Sequence, residues 1–367
     1  MEPTRNDIIE ALRQLIDPFA GRDVVSLDLV RDVSVKDGFV VIALDSISPG
    51  TESQLDLERK AEELVRSVPG VKNVIVRVGW VVPRVQPNLE KQSVPGVNNI
   101  VAVSSGKGGV GKSTVAVNLA VSLSRYGARV GLLDTDVYGP NVPIMVGVNS
   151  EPKVSGQRLL PHQAHGVRVM SLGFLNPGDR PVVWRGPMLH TAVRQFLYDV
   201  EWGELDFLIV DMPPGTGDAQ LSLAQLVPVQ GAVLVTTPQE VSLADVRKAF
   251  NMFEQVRIPV LGIVENMSYF ICENCSTRHD IFGAGGGQRL AEKFNTTLLG
   301  RVPLSIEVRE GGDLGVPIVV SNPEGAQAKA FREIADNVAI RLSVLSLTTG
   351  GLPVLDMGDS RGDRFAV

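Results

Sequence analysis

Long apolar runs are missing from this chain of 367 residues. No stretch approaches 18 uncharged apolar positions, and the opening MEPTRNDIIEALRQL has no basic flank leading into an apolar run. Neither a membrane-spanning helix nor a secretory leader is expected, and the reading points to the cytoplasm. An excess of positive charge is missing too. Lys and Arg number 35 against 41 Asp and Glu, a formal net charge of −6, and no basic stripe stands ready to displace counterions from a phosphate backbone. Nucleic acid and membrane surfaces are therefore not expected partners. Cysteine is scarce: Cys272 and Cys275 are the only two. A chain of this size in a reducing compartment needs no structural disulfide, so the pair calls for another explanation. No internal repeat is present. What remains, 44% hydrophobic and 21% charged residues, is globular composition with length enough for two or three domains.

The pattern divides the chain. Residues 1–83 read as a small α/β unit: a helix over Arg5 to Ile16, strands near Val25 to Val30 and Phe39 to Leu44, a helix over Leu55 to Val68, and a strand over Val71 to Val78. PRVQPNLEKQSVPGVNN follows and reads as a linker over 84–99. From Ile100, apolar runs (IVAVSS, RVGLLD, FLIVDM, GAVLVTT, VLGIVENM) alternate with helical stretches. Runs apolar on both faces predict a mostly parallel sheet covered by helices on each side. This larger domain spans 100–346 and ends in a helix over Glu324 to Leu345; residues 347–367 read as a polar tail.

Within IVAVSSGKGGVGKST a strand, a glycine-rich turn and a helix start follow one another, the context a phosphate-binding loop requires. Gly106 through Gly111 to Lys112 and Ser113 has the G-x-x-x-x-G-K-S spacing. Inward-pointing amides of Gly108, Gly109, Val110 and Gly111, with those of Ser113 and Thr114 at the helix start, suit a triphosphate. Lys112 would hold the terminal phosphates and Ser113 a Mg²⁺ ion. GLLDTDVYGPN and FLIVDMPPGTGD place Asp134, Asp136 and Asp211 after two further apolar runs, so carboxylates from separate strands reach one sheet edge, where they could serve Mg²⁺ and a hydrolytic water. Singly, each aspartate reads equally well as a cap or turn residue.

The loop also carries an early lysine, Lys107, and in this it resembles the deviant Walker A loop of the NTPase group that includes nitrogenase iron protein, arsenite-pump ATPase, MinD and ParA. The resemblance implies that Lys107 crosses a dimer interface to the partner's nucleotide; otherwise it is a solvated cation at a loop mouth.

CxxC spacing suits thiolate ligation of a soft metal, yet two thiolates are half of the usual set. A twofold dimer would duplicate them, and four could then share one cluster. A zinc site with His279 or with the partner's cysteines, and a redox pair, are the other readings.

The ordered set of deviant Walker A loop, DTDVYGPN, VDMPPGTGD, TTPQE, ENMSYF with CxxC, and IFGAGGG, from about Ile100 to Asn322, resembles the Mrp/ApbC family of iron-sulfur cluster carrier ATPases. That resemblance implies ATP binding and hydrolysis, a homodimer, and delivery of a [4Fe-4S] cluster held by Cys272 and Cys275 to apoproteins, in company with cluster-assembly proteins. It implies Asn266 at the adenine edge and WRGP as a further family element, with Arg185 either at the interface or a surface cation. The N-terminal unit resembles the small iron-sulfur-assembly domain fused to bacterial members, but lacks that domain's cysteine and has Phe19 after Asp17-Pro18. A docking role fits it better than metal binding. The readings from other classes are a MinD- or ParA-like positioning ATPase without a cluster, a zinc-bridged ATPase dimer, and an electron-transfer reductase. His162 and His165 read as exposed loop residues. Met188, Val193, Phe196 and Leu197 read as a helix face turned to the sheet or to a dimer partner, beside His190, and FREIADNVAIRLSVLSL as a helix packed on the sheet rather than a membrane anchor.

Overall fold

The apolar runs become the strands of one sheet because no side chain on them has to meet water. The computed structural model describes residues 2–82, 84–85, 92–137, 139–175, 186–272 and 274–348. The small unit comprises α1 (Arg5–Leu12), β1 (Val30–Lys36), β2 (Phe39–Ser46), α2 (Thr51–Arg66) and β3 (Asn73–Trp80). Then follow β4 (Val97–Ser105), α3 (Lys112–Arg125), β5 (Val130–Asp134), α4 (Val142–Met145), a ribbon of β6 (Val154–Ser155) and β7 (Arg158–Leu159), β8 (His162–Ala164) and β9 (Val167–Ser171). The chain continues with α5 (Gly186–Tyr198), β10 (Leu205–Asp211), α6 (Asp218–Leu226), β11 (Gly231–Thr236), α7 (Glu240–Gln255) and β12 (Val260–Glu265). Last come a hairpin of β13 (Phe270–Ile271) and β14 (Arg278–His279), α8 (Gly286–Lys293), β15 (Leu298–Arg301), α9 (Ile306–Leu314), α10 (Ile318–Ser321) and α11 (Ala326–Thr348).

The large sheet has the order β15-β12-β11-β4-β10-β5-β9-β8, parallel throughout except for the β8–β9 pair. Every residue of β5, β10 and β11 is buried, as expected for strands with helices on both faces. β4 is central, so the loop after it opens at the middle of the sheet's C-terminal edge. Asp211 and Asp134 are register partners at the ends of β10 and β5 on one side of it.

Several expected boundaries shift, with visible causes. The first helix stops at Leu12, where the Gln14 and Leu15 amides bond three residues back, to the Ala11 and Leu12 carbonyls, and the chain tightens into a turn. VVSLD is a turn rather than a strand, and β1 begins only at Val30. Asp23 Oδ1 accepts from the Ser26 amide at 2.8 Å and Asp28 has φ +55°, so Val24 and Leu27 reach the core three residues apart instead of by alternation. The run read as a linker contributes core: Val85 and Val94 are buried in the large domain, and the Val85 amide donates to Asn99 Oδ1 at 3.2 Å. The last helix runs longer than expected, and Val344 and Leu347 at its end pack on the small unit's core.

The two cores also meet through Trp80, which stacks on Phe207 with ring centroids 6.1 Å apart and meets Tyr126 edge-on. Asp336 of α11 accepts from Ser48 Oγ at 2.7 Å and the Gly50 amide at 3.2 Å. Asp17 is buried, its Oδ1 accepting from the amides of Phe19 and Ala20; it shapes a turn and offers no ligand. The first two residues of the expected polar tail, 347 and 348, belong to α11, and the rest of it lies outside the described residues.

Candidate nucleotide and thiol sites

The phosphate loop is built by close approach. Gly111 sits at the start of α3 with φ +78°, and a Cβ there would lie 2.1 Å from Asn266 Nδ2. A Cβ on Gly106 would strike the backbone of Asp245 in α7. Only glycine fits either place. The first amides of α3, unpaired within the helix, face the loop and favour an anion.

Lys112 is buried at the loop's end. Its Nζ lies 2.6 Å from Asp211 Oδ1, 3.6 Å from Asp136 Oδ2 and 3.3 Å from Ser113 Oγ. Burial pulls its pKa down, but the charges of Asp211, Asp136 and Asp134 outweigh that and hold it above the ordinary lysine value. Asp134 is completely buried, accepting from the Asp136 amide at 3.0 Å and Ser171 Oγ at 2.9 Å. Burial, then the neighbouring charge of Asp211, pushes its pKa up to about 7. One lysine facing three carboxylates leaves the cluster short of positive charge. Asp211 Oδ2 moreover is buried without a hydrogen-bond partner, a cost of about 1–3 kcal/mol for such an atom. A hard cation suits such an unpaired carboxylate oxygen, and Ser113, Asp134 and Asp211 are the expected residues to hold Mg²⁺. When bound, Mg²⁺ would neutralise phosphate charge.

Beside the loop a cavity of about 350 Å³ is bordered by Gly111, Thr114, Asn141, Asn266, Pro303 and Arg309, among others. Asn266 Nδ2 donates to the Val110 carbonyl at 2.8 Å, joining the cavity wall to the loop. Lys107 is half-buried and has no carboxylate partner among the described residues. A second cavity of about 430 Å³, between α5 and α6, is lined by the exposed His190 and Arg194 and stands apart from this chemistry.

Cys272 and Cys275 project on the β13–β14 hairpin, half-buried and exposed respectively. The Cys272 amide donates to the Thr277 carbonyl at 3.0 Å and the Ser276 amide to the Cys272 carbonyl at 2.8 Å, closing a tight turn. The Thr277 hydroxyl, 3.2 Å from Cys275 Sγ, lowers that thiol's pKa, with the Thr277 backbone and Cys272 adding to the effect. Among the described residues no group of three or more His, Cys, Asp and Glu is placed to hold a metal. His279 pairs with Phe270 across the hairpin and does not complete a zinc set with the cysteines.

The other expectations divide. Val193, Phe196 and Leu197 are buried, but Met188 is exposed. His162 and His165 are half-buried rather than exposed: His162 packs on Phe174, and His165 Nε2 lies 2.8 Å from the Gly315 carbonyl. Trp184 and Arg185 lie outside the described residues. Sequence reasoning passed over Ser171, which holds Asp134, and Glu265, although Glu265 ends an apolar run as Asp134 and Asp211 do.

A parallel sheet with a lysine-bearing phosphate loop after its central strand, flanked by strand-end aspartates, defines a P-loop NTPase. The chain belongs to the NUBPL iron-transfer P-loop NTPase family, whose family model matches residues 96–339; an iron-sulfur cluster assembly protein model matches residues 5–78. A Synechocystis protein named iron-sulfur cluster carrier protein is 50% identical over 350 residues, covering 94% of this chain and 99% of that one. Another of that name from Escherichia coli K12 is 48% identical over 287 residues, 78% of each chain. Among solved structures, the Archaeoglobus fulgidus nucleotide-binding protein in complex with ADP is 41% identical with a TM-score of 0.57, covering 65% of this chain and 93% of that one. The Pyrococcus furiosus cell division ATPase MinD is 25% identical with a TM-score of 0.50, covering 65% and 98%. No helix among the described residues is long and apolar enough to cross a membrane.

Proposed function

We propose that this chain is an ATP-hydrolysing carrier that works as a homodimer, receives a [4Fe-4S] cluster as cargo on Cys272 and Cys275 of both copies, and passes it to acceptor apoproteins. One observation carries the reading: a phosphate site with its lysine and carboxylates in place stands in the same chain as two accessible thiols that amount to half a ligand set. The amides from Gly106 to Thr114 and Lys112 hold the phosphates. Asp134 and Asp211 with Ser113 hold Mg²⁺, and Asp136 with Asp211 positions the attacking water. Asn266, at the cavity wall, meets the adenine edge, and Lys107 reaches the partner's nucleotide. The small N-terminal unit, whose Asp17 is spent on a turn, serves docking to cluster-assembly or acceptor proteins in the cytoplasm.

Anaerobic reconstitution with iron and sulfide tests this, with visible absorption, iron content and native mass read for the wild type and for Cys272→Ala with Cys275→Ala. A brown dimer with about four irons per pair, lost in the double variant, is the expected result. A colourless wild type that binds ATP would overturn the carrier reading and leave a positioning ATPase.

A further inference from the structure

After β12 the chain leaves the sheet, carries Cys272 and Cys275 outward on the hairpin, and returns to open α8. Both ends of that excursion are held by one side chain. Glu265, fully buried at the last position of β12, accepts from Ser268 Oγ at 2.6 Å through Oε1 and from the Gly287 amide at 2.5 Å through Oε2. Ser268 lies just before the hairpin, and Gly287 lies in the first turn of α8, where the chain rejoins the fold after it. The Gly287 amide is one that α8 leaves unpaired at its own N-terminus, where negative charge is favoured. A Cβ on Gly287 would come within 3.0 Å of Glu265 Cβ, so glycine permits the approach. Arg301 Nε, 3.8 Å from Oε1, supplies the countercharge. Between Glu265 and Ser268, Met267 has φ +52°, a left-handed conformation costing a non-glycine residue about 1–2 kcal/mol, which persists because its neighbours are fixed.

The same segment borders the nucleotide cavity. Asn266, the next residue, holds the Val110 carbonyl of the phosphate loop. The outgoing arm pairs with the chain after β15: Ser268 donates to the Val302 carbonyl at 2.9 Å and the Leu304 amide to the Tyr269 carbonyl at 2.7 Å. Leu304, with Pro303 and Ser305, lines the cavity. A nucleotide in that cavity therefore touches the backbone from which the hairpin hangs.

We infer that Glu265 is a positioning residue that couples occupancy of the nucleotide cavity to the geometry of the Cys272–Cys275 hairpin, by clasping both ends of the hairpin to β12. The inference rests on the reading of the two cysteines as cargo ligands, but its test does not depend on a cluster. With Glu265 in place, the strand end, the hairpin root and the start of α8 move as one body. Without it the thiols and the phosphate loop both remain, and their connection loosens.

The experiment uses the full-length metal-free protein, at a concentration where MgADP leaves the native mass unchanged. Alkylation of Cys272 and Cys275 by iodoacetamide is followed by mass spectrometry, without nucleotide and at MgADP saturation verified separately for each variant. In the wild type MgADP is expected to change the rates by about fivefold, the low end of ordinary coupling between sites. In Glu265→Gln, whose amide cannot accept through both of its polar atoms, the ratio is expected to fall to near unity. Ser268→Ala, which removes one arm, gives an intermediate ratio and decides the matter if Glu265→Gln does not fold. A role in stability alone would raise both rates together and leave the ratio intact, which overturns the inference, as does a wild type indifferent to MgADP. Brown reconstituted protein without coupling sinks the clasp and spares the carrier reading. Colourless protein with intact coupling does the reverse.

Discussion

The phosphate loop and the cysteine hairpin lie on the same edge of the sheet and are opposites in construction. At the end of the loop the charged groups are buried: Lys112 faces Asp134, Asp136 and Asp211, and two glycines admit neighbours that no other residue would. The hairpin is two residue pairs of ladder and a turn, with one thiol exposed and the other half-buried. The phosphate site has its lysine and three carboxylates within one chain, whereas the two thiols are half of the donor set proposed for the cargo. A site that must grip phosphates needs rigid, preorganised charge. A site that must release its cargo is better built from accessible groups held only at the root.

Breaking the loop should have the largest effect. Lys112→Ala removes the cation from a buried carboxylate cluster, and loss of one partner of such a pair costs about 3–5 kcal/mol. A urea melt and a fluorescent-nucleotide titration should show reduced stability together with loss of ATP binding. Retained ATP binding would refute the assignment of Lys112. Gly111→Ala should follow, at about 1–3 kcal/mol, because its φ of +78° and the contact with Asn266 leave no room for a methyl group. Its melt should shift while the thiols keep their wild-type alkylation rate without nucleotide.

A smaller effect comes from Asp134. Its folded pKa of about 7 lies above the ordinary 3.8, so between those values the native state binds more protons than the unfolded state. This contribution to stability is complete below the unfolded value and is lost as pH rises toward and through 7. Apo-protein stability should therefore fall between about pH 4 and 7, by at most about 1.4 kcal/mol per pH unit, and Asp134→Asn should flatten the slope. An unchanged slope in that variant would place the proton elsewhere. The smallest effect on stability belongs to the hairpin. Cys275→Ser, at an exposed position, should stay within about 0.5 kcal/mol of wild type. A larger loss in its melt would mean that the hairpin is structural in the single chain, and the contrast between the two sites would fail.

Much of this was legible beforehand. Both-faced apolar runs declare a parallel sheet without any tertiary information, since each strand's burial is written in its own residues. The phosphate loop is local for the same reason: strand, glycines, lysine and helix start are contiguous from Ile100 to Thr114. Where reading failed, distant residues or turn geometry had the decision. VVSLDLV has a strand's apolar content, yet Asp23 and Asp28 make VVSLD a turn. PRVQPNLEKQSVPGVNN looks like spacer, yet Val85 and Val94 are packed against the large core. Asp336 and Ser48, 288 positions apart, join the small unit to the last helix, and no local pattern announces that contact.

By itself the sequence determined the fold class, the phosphate loop and the presence of a half-set of thiolates, because each is encoded by neighbours along the chain. Tertiary structure alone brought Lys112 Nζ to 2.6 Å from Asp211 and 3.6 Å from Asp136. It also left one oxygen of Asp211 without a partner and let Glu265 reach both ends of the cysteine hairpin. Those arrangements depend on which strands lie side by side and how closely helices approach them, and that is settled by packing over hundreds of residues.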